Sequence, residues 1–357
     1  MKKRNIILTL ASIGILIMFL IYADMNFDAY LLRILNLCAI YTVLGLSMNL
    51  INGFSGQFSL GHAGFMAVGA YTTAILTMST AVKEQNFFMT PIMAPLDRIT
   101  LPFLPALLIG GIAAAIVGYL IGAPALRLKG DYLAIATLGF SEIIRIVFTN
   151  TQSLTNGALG LKAIPSYTNI WWSFGTAAFT VIFMILLIKS SYGRAFKAIR
   201  EDEIAAEAMG VSLFNHKILS FTIGAFFAGV GGGLLAALLG TIDPLMFRFM
   251  LTFNILLIIV LGGMGGITGT VISAFIVTIA GEALRFLDES INLGFISFNG
   301  IPGLRMVVFS ILLMLVVIFY RKGLMGTREF SWDGIINWFG NIVIRVSRKP
   351  IPKGGAK

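Results

Sequence analysis

The chain has 357 residues, of which 57% are hydrophobic and only 12% charged, and its mean hydropathy is +0.91. So few charges exclude a soluble domain of this size and make the chain a polytopic membrane protein. The formal net charge of +10 does not point to a nucleic-acid partner, because most of the Lys and Arg fall in loops on one side of the predicted membrane, as the positive-inside rule requires.

The N-terminal MKKR and the apolar run after it resemble a signal peptide. The run is long and no small-x-small cleavage site follows it, so it reads as an uncleaved first span. At about 20 apolar residues per span, the hydropathy predicts about ten transmembrane helices, at 6–23, 31–51, 64–81, 103–123, 132–148, 171–188, 218–239, 249–262, 267–286 and 304–320. Gly262, Gly263, Gly265 and Gly266 interrupt one long apolar run and separate the eighth span from the ninth. The fold class is therefore all-α with broken or re-entrant segments. With MKKR inside, an even number of spans returns the basic tail to the same side, so the predicted topology is N-in/C-in. The inside segments then hold 18 of the 26 Lys and Arg: three at the N-terminus, two at Arg127 and Lys129, five in loop 189–217 and eight in the tail. Residues 1–320 form the transmembrane domain and 321–357 a basic tail, in which 334–346 reads as an interfacial helix. Cys38 lies in an apolar segment and is a small packing residue.

The segment 52–65, NGFSGQFSLGHAGF, joins the second and third predicted spans with four glycines and the polar residues Asn52, Ser55, Gln57, Ser59 and His62. Irregular backbone at membrane depth needs protein or a water-filled cavity to satisfy it, so the segment is either a packed re-entrant loop or part of a solute pathway. Glu142 and Arg145 stand one turn apart in the fifth span, where charges are costly unless paired or facing a cavity. Their i, i+3 spacing allows self-neutralisation, and a gating role is the alternative. Glu282 and Arg285 share the spacing nearer a span end, where snorkelling favours a structural reading.

Loop 189–217 is the most charged internal stretch. In GRAFKAIR the basic Arg194, Lys197 and Arg200 fall on one helical face and Phe196 and Ile199 on another. Asp202 is placed to N-cap a second short helix, Glu203 suits its first turn, Gly210 its stop, and Ile204, Ala208 and Val211 line one side of it. Helices this short do not stand alone in water. They either lie on lipid headgroups or form a docking knob for a soluble partner.

No Cys/His cluster and no GxxxxGK[ST] loop occurs, so neither a metal site nor an ATP site of the chain's own is expected. GGMGGITG lacks the phosphate-loop lysine and reads as a helix break. Glu142/Arg145 and Glu282/Arg285 recur at one offset and the Gly-rich segments at another, so no internal repeat is established.

Five segments, GFSGQFSLGHAGFMAVGAY (53–71), RLKGDYLAIATLGFSEIIR (127–145), GRAFKAIREDEIAAEAMGV (193–211), VLGGMGGITGTVISA (260–274) and KGLMG (322–326), resemble the M-type permease subunit of bacterial branched-chain amino acid ABC transporters. The likeness spans nearly the whole chain after the first span. It implies a multi-pass subunit of the bacterial inner membrane that is not itself an enzyme. The implied partners are a homologous H-type permease, two cytoplasmic ATP-binding subunits that hydrolyse the ATP, and a periplasmic binding protein that delivers Leu, Ile or Val. On this resemblance loop 189–217 corresponds to the coupling helix, whose motif is EAA, three residues, then Gly. Ala205, Ala206 and Gly210 match, while Ile204 stands where the motif has Glu and Glu203 lies one residue earlier. The coupling residues implied are Arg200, Glu201, Asp202, Glu203, Ala205, Ala206, Glu207 and Gly210, and the expected pathway residues are Asn52, Gln57, Ser59, His62, Glu142 and Arg145.

Two other readings compete. An importer of the same type for urea, short amides or other amino acids would look much the same. A stand-alone secondary transporter or channel would need a midplane site with coupling-ion ligands, for which only Glu142/Arg145 is a candidate. A membrane enzyme is less well supported, since no catalytic arrangement falls in a span.

Overall fold

The structure, a computed structural model, describes residues 3–128 and 130–287 continuously and scattered positions from 291 to 329. The predicted span 304–320 is described only at scattered positions, and the expected tail helix at 334–346, with Lys129 and Lys322, lies outside the described residues.

Helix α1, Lys3–Asn26, belongs to a different compact unit from Asp28–Thr327. Its 24 residues rise about 36 Å, enough to cross a bilayer. The second unit carries the remaining helices: α2 (Ala29–Asn49), α3 (His62–Thr77), α4 (Thr80–Asn86), α5 (Phe103–Ala125), α6 (Asp131–Asn150), α7 (Gln152–Thr155), α8 (Ile170–Lys189), α9 (Ser191–Glu201), α10 (Glu203–Ala208), α11 (Leu213–Leu239), α12 (Phe249–Gly262) and α13 (Ile267–Ala283). A two-residue antiparallel pairing joins β1 (Ile291–Asn292) to β2 (Ser297–Phe298). Among the described residues, α1, α2 with its extension to Phe54, α5, α6, α8 and α11 are long and apolar enough to cross a membrane, and α12 and α13 are shorter apolar helices. The protein is thus a polytopic, essentially all-helical membrane protein.

Two helix clusters organise the second unit. In one, α3, α5 and α11 pack on each other through small residues: a Cβ at Gly69 would collide with the Gly229 backbone, and one at Gly232 with the Met66 carbonyl. Without a hydrophobic drive between helices in lipid, such close backbone approach supplies the dispersion contact that holds them. In the other, α2 lies among α8, α11, α12 and α13, and most of its second half is buried. The two clusters share α11.

One end of this unit is closed by loops that satisfy each other's backbone. Leu161 and Ile242 exchange two N–H···O=C bonds of 2.8 and 2.9 Å, and the Asn86 side chain bonds both the N–H and the carbonyl of Lys162. Lys83 is buried there and donates to the carbonyls of Leu96 (2.8 Å) and Ile99 (2.6 Å). Burial draws its pKa below the ordinary lysine range, and the nearby Asp97 carboxylate opposes that shift. Lys83→Met would leave two carbonyls without their donor, at about 1–3 kcal/mol for each buried group left unsatisfied. The expected result is faster amide exchange and proteolysis across residues 87–101 with little change elsewhere, measured by hydrogen-exchange mass spectrometry.

The opposite end carries α9 and α10. Because α8 runs into this end and α11 runs out of it, the charged loop is held between two long helices.

Candidate functional site

The charged loop folds as its sequence predicts. Ser190 caps α9, accepting from Gly193 N–H, and Asp202 Oδ1 caps α10, accepting from the N–H groups of Ile204 (2.8 Å) and Ala205 (3.0 Å). Gly210 ends α10 at φ +84°, with Val211 N–H donating to Ala206 O and Gly210 N–H to Glu207 O, the paired bonds of a Schellman stop. Phe196 and Ile199 bury the inner face of α9, while Arg194 and Lys197 are exposed.

Helix α10 is exposed over most of its surface. Ala206 alone among its six residues is buried, whereas Ile204 is 80% exposed and Met209, just beyond the helix, 84% exposed. The Asp202 cap and the Lys217–Glu203 ion pair of 2.6 Å fix the rotation of the short helix and turn Ile204 outward. Ala205, Glu207 and Ala208 are exposed with it. A rigid, capped helix thus presents a small apolar tip ringed by Glu201, Asp202 and Glu207.

The loop is tied to the core through Arg200. Helix α2 does not end at Asn49 but continues as a π-turn, Leu50–Phe54, and the following backbone is irregular up to α3. Arg200 Nη1 donates to Gly53 O at 3.1 Å, and Gly56, at φ +71°, rests against the Arg200 backbone. The same guanidinium lies against Gly265, in the break between α12 and α13. Asn49 joins the two breaks: its Oδ1 accepts from Gly265 N–H (2.9 Å), and its Nδ2 donates to Gly266 O (2.9 Å) and Thr270 Oγ1 (2.8 Å). Only glycine fits at 53, because a Cβ there would strike both Asn49 Oδ1 and the Gly265 nitrogen. From the other side, the turn Gly323–Gly326 packs on the same break, with Leu324 N–H donating to Leu261 O at 2.7 Å.

The polar residues expected to line a pathway are placed as follows. Asn52, Gln57, Ser59 and His62 are all buried and hydrogen-bonded. Asn52 bonds the backbone of Ser59 in both directions; Gln57 Nε2, with two N–H groups to donate, lies within hydrogen-bonding distance of Ser220 Oγ (2.8 Å), Lys217 O (3.1 Å) and Ser55 Oγ; His62 Nε2 pairs with Ser47 Oγ at 2.8 Å. More distant hydroxyls complete the broken stretch, Thr137 accepting from Leu60 N–H and Thr252 from Ala63 N–H. In this chain by itself these groups satisfy irregular backbone at depth, as the medium demands. Glu142 and Arg145 form the self-paired bridge that their spacing allows, Nε to Oε2 at 2.6 Å, on a partly exposed face of α6. Glu282 and Arg285 both lie beside Tyr30. Tyr30 O–H donates to Glu282 Oε2 (3.2 Å), and the Arg285 guanidinium stands 6.0 Å from the centre of the Tyr30 ring.

No group of three or more His, Cys, Asp or Glu among the described residues is placed to hold a metal ion.

A family model described as branched-chain amino acid transport system, permease component, matches residues 30–318. The high-affinity branched-chain amino acid transport system permease protein LivM of Escherichia coli K12 is 37% identical over 290 residues, covering 72% of this chain and 64% of that protein. The LivM of Salmonella typhimurium is 36% identical over 70% of this chain and 62% of its own length. The chain therefore spans slightly less than two thirds of these two relatives. The LivH permease of Escherichia coli K12 is 25% identical over 81% of this chain and 92% of its own length. No solved structure matches.

Proposed function

Because the chain belongs to the permease-component family of branched-chain amino acid transport systems, we propose that it is a membrane subunit of an ATP-driven importer for leucine, isoleucine and valine. It works beside a homologous H-type permease in the bacterial inner membrane. Two ATP-binding subunits dock from the cytoplasm, and a periplasmic binding protein delivers the amino acid. The chain binds no ATP itself. It crosses the membrane ten times with both termini inside, residues 1–320 forming the permease domain and 321–357 a cytoplasmic tail. The alternating direction of successive helices supports this topology, since it gathers α9, α10, Arg127 and the Gly262–Gly266 break at one end.

The observation that carries the reading is the exposed tip of α10. Two large apolar side chains, Ile204 and Met209, stand almost fully exposed on a doubly capped helix that is tied by Arg200 to two helix breaks. Each is worth about 1.5–3 kcal/mol if a partner covers it. A lipid surface would accept the apolar residues but gives no use for Glu201, Asp202 and Glu207 around them, whereas an ATPase groove uses both. The coupling residues are then Arg200, Glu201, Asp202, Glu203, Ala205, Ala206, Glu207 and Gly210. Asn52, Gln57, Ser59, His62, Glu142 and Arg145 border the pathway once the sister permease is in place.

The test is ATPase stimulation by the liganded binding protein in reconstituted complexes. Ile204→Asp/Met209→Asp alters only exposed side chains and is expected to lower co-purification of the ATPase and to abolish stimulation, with the permease pair still folded. Unchanged stimulation and uptake would make α10 a lipid-surface helix and raise the stand-alone transporter in its place.

A further inference from the structure

Among the described residues, two cavities beside the membrane-spanning helices differ in their linings. The larger, about 790 Å³, opens between α5, α8 and α11 and is walled by Leu, Phe and Trp side chains with only Thr176 and Thr222 as side-chain hydroxyls. A zwitterion would leave both its charges unsatisfied there. The smaller, about 360 Å³, lies among α2, α12 and α13. Its polar lining residues are Tyr41, Asn254, Thr278, Glu282 and Ser310, and Leu37, Leu257 and Val277 supply apolar wall. Concave, mostly apolar space of roughly 300–1,000 Å³ with a few convergent polar groups is the usual form of a small-molecule site.

The polar groups are ordered along the cavity. Glu282 sits at the end of α13 away from the Gly262–Gly266 break, and Thr278 lies one turn, about 6 Å, further in by helical rise. Tyr30 holds Glu282 through Oε2 alone. Thr278 is about nine-tenths buried, and its Oγ1 has no nitrogen or oxygen partner; its polar neighbour is the Cys38 thiol.

We propose that this cavity is the station at which the permease receives its amino acid: Glu282 takes the α-ammonium, Asn254 and the Tyr41 hydroxyl take the carboxylate, and the apolar wall takes the branched side chain. It rests on the transport reading above and adds to it a site and a ligand class, an α-amino acid with an aliphatic side chain. Neither the buried polar segment 52–62 nor Glu142/Arg145 enters it. The cavity residues of α12 and α13 sit on the same two helices that meet at the break gripped by Asn49 and Arg200. Occupancy at one end and the coupling loop at the other are therefore joined by two short, stiff rods.

The experiment uses the whole reconstituted complex, with radiolabelled leucine uptake and thiol labelling as separate readouts. Glu282→Gln is expected to lower uptake at least about tenfold, Glu282→Asp to keep it within about threefold, and Glu84→Gln, on exposed α4, to leave it unchanged. In a Cys38→Ala background, labelling of Asn254→Cys is expected to slow with millimolar leucine and not with equal concentrations of 4-methylpentanoate, which lacks the ammonium. Wild-type uptake together with unaffected Glu282→Gln and no protection at Asn254→Cys would overturn the site while leaving the importer standing. Absence of ATP-driven leucine uptake in the wild-type complex would overturn the transport reading itself, and protection by leucine at Asn254→Cys would still support the site.

Discussion

Replacing Arg200 by glutamine is expected to cut binding-protein-stimulated ATPase activity and uptake by about 10- to 100-fold, while the ATPase still co-purifies with the permease. Arg200 is the one side chain of the loop that bonds the backbone of a broken helix directly, through Gly53 O, and it also lies against the second break at Gly265. A hydrogen bond to a charged donor is worth about 1.5–3 kcal/mol, and coupling energies between sites run to about 1–3 kcal/mol. Loss of a contact that size is enough to remove the coupling. The tip that meets the partner, Ile204 and Met209, stays intact, so docking and transmission separate. Arg200→Lys keeps the charge without the planar fork and cannot hold both Gly53 and the Gly265 turn, so an intermediate loss is expected. The deciding quantity is leucine transported per ATP hydrolysed. A purely structural role would lower assembly and leave that ratio alone; a transmission role lowers the ratio at constant assembly.

Much of this arrangement can be read from local sequence. The first nine apolar runs become helices within a few residues of their expected limits, and Asp202 and Gly210 cap α10 because capping depends on neighbours two to five positions away. The glycine run at 262–266 breaks the helix as expected. What sequence could not supply are contacts between distant positions. Leu60 is satisfied by Thr137, Ala63 by Thr252, Gln57 by Ser220 and Gly53 by Arg200, at sequence separations of 77, 189, 163 and 147. No periodicity encodes such pairs. The rotation of α10 and the partner of Glu282 are likewise set from a distance: the Lys217–Glu203 pair turns Ile204 out, and Tyr30, brought in from α2, donates to the carboxylate. The cavity beside Glu282 needs α2, α12 and α13 together, and hydropathy marks those segments only as apolar.

Gly69→Val is expected to prevent accumulation of the folded permease in membranes, and the reason lies in how α3, α5 and α11 are held. A Cβ at 69 would collide with the carbonyl oxygen and Cα of Gly229, which are main-chain atoms and cannot rotate away. Helices α3 and α11 would have to separate, and the separation would also open the contacts of Gly110 with Thr73 and of Gly232 with Met66. Overpacking a core commonly costs about 1–3 kcal/mol when side chains can yield. Here the backbone must yield and several contacts fail together, so the expected cost is at the top of that range or beyond it, a large part of the about 5–15 kcal/mol by which folded proteins are stable. The larger Gly69→Leu should be no better. Gly139→Ala is the matched control, on an exposed face of α6 where an added methyl meets nothing within 4 Å. Helix propensity favours Ala over Gly by about 1 kcal/mol, so that variant should accumulate at least as well as wild type. Quantitative blotting of membranes and thermal inactivation in detergent would read both. Equal accumulation of Gly69→Val and wild type would mean that the α3–α11 contact is looser than its geometry.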